Sequence, residues 1–388
     1  MSIIRHFVLA AGGTGGHMIP AQALAAELRQ RGHHVELITD QRGAMLPVTF
    51  EGVPVHVLPA GRFERDPRSW IKAIRATIDG RRQAISLYRK LQPTAVVGFG
   101  GYPALPAVMG AVATKVPVVI HEQNAVLGRV NRLMARFVDI IATAYADVDR
   151  VAPAQRDKLR LIGNPVRAEV LALRDQPYPP LTPEGVFRVL VTGGSQGASI
   201  LSEVVPESLG LLPIALKRRL QVVQQCRPED IDRVRAAYAA LEIPAELATY
   251  LDDMPERLGW AHLVIARAGA STIAELTVAG RPAILVPLPS AMDDHQTANA
   301  REMVAAGGAR MIRQIRFTPV ELGKQMQKLG LSSDGLTRAA ARARECGRPN
   351  AARDLADLVE TMGAAPQGDV LPLRKRPIVS ANLQGAAA

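Results

Sequence analysis

The chain twice places a glycine-rich turn directly after a short apolar run. Residues 7–11 lead into GGTGGH at 12–17, and the β-branched run 187–192 leads into GGSQGA at 193–198. Helical spacing follows the first turn at Ala21, Leu24, Ala25 and Leu28. We expect this helix to take Pro20 in its first turn and to stop at Gly32. A strand, a glycine turn and a helix form the unit of parallel sheets, so the sequence predicts two α/β halves.

Further apolar runs predict strands between helical segments in both halves. The predicted strands of the first half are 35–39, 53–58, 95–98, 116–120 and 139–143. Those of the second half are 220–224, 263–266, 283–286 and 310–312. The fold class is therefore α/β, with two doubly wound domains facing each other across a cleft.

The domain boundary is predicted near the Gly-Asn-Pro turn at 163–165, before a proline-rich connector at 177–183. We assign 1–163 to the first domain and 164–362 to the second, with the last helices as candidates to pack back on the first domain. Residues 363–388 have the composition of a disordered basic tail.

Composition narrows the class of protein. A net charge of +11 favours anionic lipid or phosphorylated ligands, whereas 4% aromatic residues and no zinc-finger spacing argue against nucleic acid. The two cysteines form no disulfide framework, and the N-terminus lacks the pattern of a signal peptide. The apolar stretch 104–120 is interrupted by proline and lysine, so we expect a helix and a buried strand rather than a membrane span. The sequence thus predicts a soluble cytoplasmic protein that can bind a surface.

The glycine turns suit phosphate, because they expose backbone N–H groups at the start of a helix. Neither turn has the Gly-Lys-Ser/Thr of a P-loop, and Met18 occupies the third glycine position of a dinucleotide fingerprint. Asp40 ends the second strand where a ribose-binding acid would lie, which keeps an NAD(P)-dependent oxidoreductase open. Tight turns without any ligand remain the structural alternative.

Eight motifs in order carry a resemblance that spans about residues 5–360. They are GGTGGH at 12–17, FGGYP at 99–103, HEQNAVLG at 121–128, GNPVR at 163–167, TGGSQGA at 192–198, LDDM at 251–254, RAGAST-x-AEL at 267–276 and DDHQTANA at 293–300. In these the chain resembles the MurG family of bacterial N-acetylglucosaminyltransferases. The resemblance implies the GT-B fold and inverting transfer of N-acetylglucosamine from UDP-N-acetylglucosamine to an undecaprenyl-diphosphate-linked muramoyl-pentapeptide, in peptidoglycan synthesis. It also implies a peripheral position on the cytoplasmic face of the inner membrane and suggests cell-wall and division complexes as partners.

The resemblance implies a donor site mainly in the second domain. Its residues are Thr14, Gly15, Gly16, Asn124, Arg167, Ser195, Leu251, Ala270, Ser271, Thr272, Glu275 and Gln296. A carboxylate at Glu275 can accept hydrogen bonds from both ribose hydroxyls. Each residue also has a purely structural interpretation: Glu275 as favourable charge at a helix start, Ser195 as an N-cap, Arg167 as a surface arginine, and Asn124 or Gln296 as loop supports.

The implied acceptor site belongs to the first domain. Its residues are Gly13, Gly100, Gly101 and Tyr102. Inversion by direct displacement needs a base, and imidazole suits neutral pH, so His17 is the candidate base and Glu122 the rival. His17 could instead cap its own turn or contact the acceptor diphosphate. We expect no metal and no other cofactor, because Asp293, Asp294 and His295 do not make a closed ligand set.

Residues 68–91 have the composition of a basic amphipathic segment. Seven basic residues oppose one acid, and Gly80 is expected to interrupt the helix. The proposed membrane-facing residues are Trp70, Ile71, Ile74, Arg75, Ile78, Arg81 and Arg82. The structural alternative is a solvated helix with an apolar core face.

Other functions stay open at this stage. They are another GT-B enzyme with a different acceptor, a UDP-sugar epimerase, the oxidoreductase named above, and a non-catalytic UDP-sugar-binding protein.

Overall fold

The computed structural model describes residues 4–46, 48, 50–61, 67–194 and 197–362. Its first sheet has seven strands in the order β3-β2-β1-β4-β5-β6-β7. They are β1 His6–Ala10, β2 His34–Thr39, β3 Val55–Val57, β4 Ala95–Gly98, β5 Val118–Glu122, β6 Ile140–Thr143 and β7 Leu159–Leu161. Each pairing between them is parallel. Because a parallel sheet needs cover on both faces, its central strands are continuous apolar runs, as the sequence predicted.

The second sheet has six parallel strands in the order β10-β9-β8-β11-β12-β13. They are β8 Phe187–Thr192, β9 Leu220–Gln225, β10 Ala245–Ala248, β11 Leu263–Ala266, β12 Ala283–Leu285 and β13 Ala309–Met311. In both sheets the strand order reverses beside the first strand. That switch point opens a crevice at the carboxyl ends of the strands, where each glycine turn lies.

Fifteen α-helices cover the two sheets within the described ranges. They are α1 Gly15–Gln30, α2 Gln41–Ala44, α3 Pro67–Leu91, α4 Gly101–Thr114, α5 Arg129–Met134, α6 Ala168–Ala172, α7 Ser199–Gly210, α8 Ile214–Lys217, α9 Ile231–Ala240, α10 Met254–Trp260, α11 Ala270–Ala279, α12 His295–Ala305, α13 Pro319–Gly330, α14 Ser333–Cys346 and α15 Ala351–Met362. No helix in these ranges has the length and apolar character needed to cross a bilayer.

Two strands escaped the sequence analysis. β7 and β10 lie at the edges of their sheets and contain no buried residue, and neither strand carries a continuous apolar run. The start of α1 was also misplaced. The helix begins at Gly15, one turn before Pro20, and the four residues of the predicted spacing are buried on its inner face. It ends before Gly32, whose φ of +87° suits glycine, as predicted.

The prediction that Gly80 interrupts the basic helix was wrong, because α3 is continuous from Pro67 to Leu91. A Cβ at Gly80 would lie 2.0 Å from the Pro59 carbonyl oxygen. Glycine is required here because the helix backbone packs closely against the strand-exit loop, and its weak helix propensity is overridden by this contact.

The last helix returns to the first domain. Leu355, Leu358 and Val359 of α15 are buried in the core beneath the first sheet. Arg31 at the end of α1 pairs with Asp357 at 2.6 Å and with Glu360 at 3.1 Å. The chain thus crosses between the sheets twice, once after β7 and once between α14 and α15. The two crossings touch, since a Cβ on Gly163 would lie 2.7 Å from that of Arg348.

Candidate active site

The first glycine turn begins α1 at the carboxyl edge of the first sheet. Gly13 has a φ of +82°, and the extended Thr14 immediately precedes the helix. The turn lies against Asp40, whose Oδ1 accepts a hydrogen bond from the Gly43 N–H at 2.9 Å and so caps α2. Asp40 therefore has a local structural role. This role accounts for Asp40 without the ribose contact that a dehydrogenase would need.

His17 lies in the first turn of α1, half-buried, with its ring against Gly101. Its Nδ1 lies 3.2 Å from the Gly12 carbonyl oxygen. Because a carbonyl only accepts, this contact favours the tautomer that carries the proton on Nδ1 and the lone pair on Nε2. Burial lowers the pKa of His17, the Gly12 contact opposes that effect, and the charge of His295 lowers the pKa further. The imidazole is thus held neutral and oriented.

Glu122, the rival base, is fully engaged at the end of β5. Oε1 accepts from the N–H and the side-chain amide of Asn124 at 3.0 and 3.2 Å. Oε2 accepts from the Gly128 N–H at 2.8 Å and from Asn131 Nδ2 at 2.9 Å. Burial raises the pKa of Glu122, and these four donors oppose the rise. The arrangement fixes the loop that follows β5.

The second predicted acceptor turn lies beside the first. Gly100 precedes α4 with a φ of +80°, and Gly101 begins α4 with a φ of +73°. The His17 ring contacts Gly101, so this turn and the first glycine turn line one edge of the cleft. Tyr102 is half-buried and packs on the core of the first domain.

In the second domain, the partly exposed Arg167 forms an ion pair with the buried Glu275. Arg167 donates from Nε and Nη2 to the same carboxylate oxygen, Glu275 Oε1, at 3.1 and 2.8 Å. Burial raises the pKa of Glu275, and the adjacent guanidinium opposes that rise. The pairing joins two residues that are 108 positions apart in the chain and leaves Oε2 for a ligand hydroxyl.

The start of α11 faces the first glycine turn across the cleft. Ala270, Ser271 and Thr272 form the first turn of α11, where backbone N–H groups have no helical partner. A Cβ on Gly16 would come within 4.0 Å of Ser271 Oγ, so the starts of α1 and α11 approach each other. That hydroxyl is buried and has no hydrogen-bond partner within the described part of the chain.

Gln296 supports the turn that precedes α11. Its Oε1 accepts from the Ala268 N–H at 3.2 Å and from the Leu288 N–H at 2.9 Å, which ties together the loops after β11 and β12. Asn124 is likewise held on both sides of its amide, by Glu122 and by Asn299. Both amides thus act as loop supports here, the structural alternative of the sequence analysis.

Two further donor candidates are Leu251 and Ser195. Leu251 is buried in the core of the second domain. Ser195 lies outside the described residues. The second glycine turn is held by Gln225, which the sequence analysis missed and whose Oε1 accepts from Thr192 Oγ1 at 3.0 Å and from the Gly193 N–H at 3.2 Å. Its position at the end of a predicted strand was the available signal.

The acidic pair before α12 is engaged with cationic and hydroxyl groups. Asp293 lies between Arg132 at 2.8 Å and Arg150 at 3.2 Å, both from the first domain. Asp294 accepts from Thr297 Oγ1 at 2.7 Å. Among the described residues, no cluster of three or more His, Cys, Asp or Glu side chains is arranged to hold a metal ion.

The outer face of α3 carries the predicted apolar side chains. Their exposed fractions are 50% for Trp70, 62% for Ile71, 48% for Ile74 and 43% for Ile78. The inner face buries Ala73, Thr77, Ala84 and Tyr88. Arg75 and Arg82 are exposed among the apolar residues, and Arg81 is half-buried. The core-facing side of α3 is therefore apolar, and its solvent-facing side carries both apolar and basic side chains.

Two parallel doubly wound domains, with phosphate-suited turns facing across the cleft, define the GT-B class of glycosyltransferases. The chain belongs to glycosyltransferase family 28. The profile of that family's N-terminal domain matches residues 7–143, and the profile of its C-terminal domain matches residues 188–359.

The chain is similar along its length to curated bacterial proteins. It is 62% identical over 372 residues to the UDP-N-acetylglucosamine–N-acetylmuramyl-(pentapeptide) pyrophosphoryl-undecaprenol N-acetylglucosamine transferase of Novosphingobium aromaticivorans, covering 96% of each chain. It is 63% identical over 359 residues to the protein of the same name from Zymomonas mobilis, covering 92% of this chain and 93% of that one.

Among solved structures, Acinetobacter baumannii MurG has a TM-score of 0.73 at 30% identity, over 92% of this chain and 99% of that one. The calicheamicin glycosyltransferase CalG4 has a TM-score of 0.64 at 16% identity, over 94% of this chain and 100% of that one, and so shares the fold.

Proposed function

We propose that the chain transfers N-acetylglucosamine from UDP-N-acetylglucosamine to the C4 hydroxyl of an undecaprenyl-diphosphate-linked muramoyl-pentapeptide, with inversion at the anomeric carbon. The observation that carries this proposal is the approach of Gly16, which directly precedes His17 at the start of α1, to Ser271 at the start of α11. A nucleotide diphosphate on α11 would present its sugar to a base on α1. The names of the full-length relatives support the choice of donor and acceptor.

The donor diphosphate would lie at the start of α11. Backbone N–H groups and the helix dipole there favour a negatively charged group by about 0.3–2 kcal/mol. The buried, unpartnered hydroxyl of Ser271 would donate to a phosphate oxygen. Glu275 Oε2 would accept from the ribose hydroxyls, and Arg167 would hold Oε1 and keep the carboxylate charged. We propose that Leu251 and Ser195 border the nucleotide, and that Gln296 shapes the turn that binds it.

In the transfer step, the acceptor C4 hydroxyl donates its proton to His17 Nε2 as its oxygen attacks the anomeric carbon. The new glycosidic C–O bond forms on the face opposite the diphosphate, and the bond from the anomeric carbon to the phosphate oxygen breaks. UDP leaves with the electron pair, and the proton passes from the imidazolium to solvent. A base positioned in this way contributes about 10²–10⁴-fold to the rate. Glu122 is disfavoured as the base because both of its oxygens already accept two hydrogen bonds.

No resident metal is part of this proposal. Asp293 already pairs with two arginines and Asp294 accepts from a threonine, which supports a transfer that does not use these carboxylates to hold a divalent cation. The leaving diphosphate would instead be stabilised by α11.

We further propose that α3 binds the cytoplasmic face of the bacterial inner membrane, where a lipid-linked acceptor resides. A half-exposed Trp and three half-exposed Ile residues among arginines suit the headgroup region of an anionic bilayer. Gly13, Gly100, Gly101 and Tyr102 would meet the acceptor diphosphate. Cell-wall and division complexes are the partners we propose for an enzyme at this position.

The deciding experiment incubates the full chain with radiolabelled UDP-N-acetylglucosamine and the lipid-linked muramoyl acceptor in detergent with a chelator. We expect label in the lipid fraction and release of UDP. Retention of all label in the nucleotide sugar, with UDP binding intact, would overturn the acceptor assignment and favour another sugar acceptor. Appearance of an isomeric UDP-sugar would favour an epimerase.

A further inference from the structure

A buried asparagine on α12 joins the two domains beside the cleft. Asn299 has no exposed surface. Its Oδ1 accepts from the Ala125 N–H at 2.8 Å, and its Nδ2 donates to Asn124 Oδ1 at 3.1 Å, both in the first domain. Nδ2 also donates to the Ala268 carbonyl at 3.2 Å, in the turn before α11. One carboxamide therefore contacts the loop after β5 and the turn that begins the proposed diphosphate-binding helix.

The carboxamide is matched to its partners. The Ala125 N–H can only donate, which assigns the facing atom as oxygen, and the two N–H groups then meet two oxygen acceptors. A carboxylate of the same size would keep the acceptor and lose both donors. Since each buried polar group left without a partner is costly, the position discriminates strongly between asparagine and aspartate.

The hydrogen bonds of Asn299 connect to further hydrogen bonds on the acceptor side and on the donor side of the cleft. On the acceptor side, Asn124 donates to Glu122 Oε1, and Glu122 holds the rest of the loop up to Asn131. On the donor side, Gln296, one helical turn before Asn299, accepts from the Ala268 N–H. Ala268 is thus held by α12 through both its N–H and its carbonyl. A continuous hydrogen-bonded path runs from the end of β5 to the start of α11.

Other contacts near Asn299 also join the two domains. Ala298 packs on Ala125 and Val126 in a small apolar cluster between the domains. This cluster shields the hydrogen bonds of Asn299 from water. Asp293 pairs with two arginines of the first domain. Asp293 and Asp294 adopt left-handed φ values of 57° and 52°, a strained backbone that persists only where surrounding contacts enforce it.

We propose that Asn299 is a positioning residue that sets the register between the two domains. It holds the loop that follows β5 against the turn that precedes α11, so that His17 faces a donor bound on α11. This inference rests on the proposed transferase function. It assigns to Asn299 an effect on the transfer step, acting through Asn124 and Ala268, without contact to the reacting atoms.

The test compares the full chain with the Asn299→Asp variant in transfer and in UDP binding. We expect kcat to fall about 10- to 100-fold, which corresponds to about 1.4–2.7 kcal/mol. The Kd for UDP, measured by calorimetry without acceptor, should stay within about threefold, because the proposed nucleotide contacts belong to the second domain. An Asn299→Ser variant retains a small hydrogen-bonding group, so its kcat should lie between those of the unaltered chain and Asn299→Asp. Thermal melting checks that each variant is folded.

Arg301→Gln supplies the matched control. Arg301 follows Asn299 on α12 and also crosses to the first domain, where it pairs with Asp149 at 3.1 Å, but both side chains are more than half exposed. An exposed pair contributes little, so kcat should change less than about twofold.

Two outcomes overturn the proposal. If folded Asn299→Asp retains its kcat, the cross-domain contact has no part in transfer. If its UDP affinity weakens by the same factor as kcat, Asn299 only shapes the donor turn. Failure of the proposed function is separate, because it would appear as absence of transfer by the unaltered chain in the same assay.

Discussion

At the scale of single residues, the protonation states of His17 and Glu275 depend on their burial and on the groups that contact them. His17 is oriented by Gly12, and burial and His295 lower its pKa, so the neutral base persists below the usual pH range of histidine. Glu275 has the opposite tendency, since burial raises its pKa and Arg167 restrains the rise. Both effects can be read from pH profiles.

We expect the acid limb of kcat/KM against pH to have its midpoint below 6.5, because the rate is lost only when His17 becomes protonated. His17→Gln should lower kcat about 10²–10⁴-fold and remove that limb. His295→Gln removes a charge that disfavours protonation of His17, so the limb should move to higher pH. A limb that survives in His17→Gln would assign the base elsewhere.

Arg167→Gln should make donor binding depend on pH. Without the guanidinium, the pKa of the buried Glu275 rises further, so the carboxylate becomes protonated as pH falls and the KM for the nucleotide sugar increases toward the acid end of the pH range tested. Glu275→Gln has no carboxylate to titrate, and we expect a raised KM that is flat over this range. A flat profile in both variants would contradict the role we give to the ion pair.

At the scale of elements, α3 has a buried inner face and an exposed outer face. Its inner face packs on α4, which contributes the most extensive helix–helix contact of the first domain, and its outer face carries the exposed apolar and basic side chains. The continuity of the helix through Gly80 keeps these residues on one surface.

Neutralising Arg75, Arg81 and Arg82 to glutamine should weaken binding to vesicles that contain an anionic phospholipid. Each basic residue near such a surface contributes about 1 kcal/mol, so the partition coefficient should fall about 100-fold, and added salt should reduce the difference. The control variant neutralises the exposed Arg218, Lys324 and Lys328 of the second domain, with the same change in net charge. Equal binding by all three proteins would refute the docking proposal.

Gly80→Ala should destabilise the protein, although alanine is the better helix former by about 1 kcal/mol. The added methyl group would lie 2.0 Å from the Pro59 carbonyl oxygen, and overpacking of this kind costs about 1–3 kcal/mol. Gln83→Ala, at an exposed site on the same helix, serves as the control and should leave the melting temperature nearly unchanged. A higher melting temperature for Gly80→Ala would show that propensity outweighs the contact.

At the scale of the whole molecule, α15 connects the end of the described chain to its beginning. Leu355 lies with no exposed surface in the core beneath the first sheet, and Arg31 binds two carboxylates of α15. We expect Leu355→Ala to lower the free energy of unfolding by about 2–5 kcal/mol. Leu331→Ala, at a site that is 65% exposed, should change it by less than about 0.5 kcal/mol. Urea denaturation of both variants measures the difference, and equal midpoints would mean that α15 contributes little to the first domain.

The sequence by itself determined the alternation of strands and helices, the two glycine turns and the division into two α/β halves. These follow from local signals: apolar runs, helical spacing and glycine are each read within a few residues. The family motifs likewise predict His17, Glu275 and Ser271 as site residues.

Only the tertiary structure decided what those residues contact. Asn299 meets Ala125 across 174 positions, Arg167 meets Glu275 across 108, and α15 packs on α1 from the other end of the described chain. No local pattern encodes such pairs, because each joins segments that are far apart in the sequence and that only the folded chain brings together. For the same reason Gly80, expected to break a helix, is the residue that lets α3 pack against the loop at Pro59.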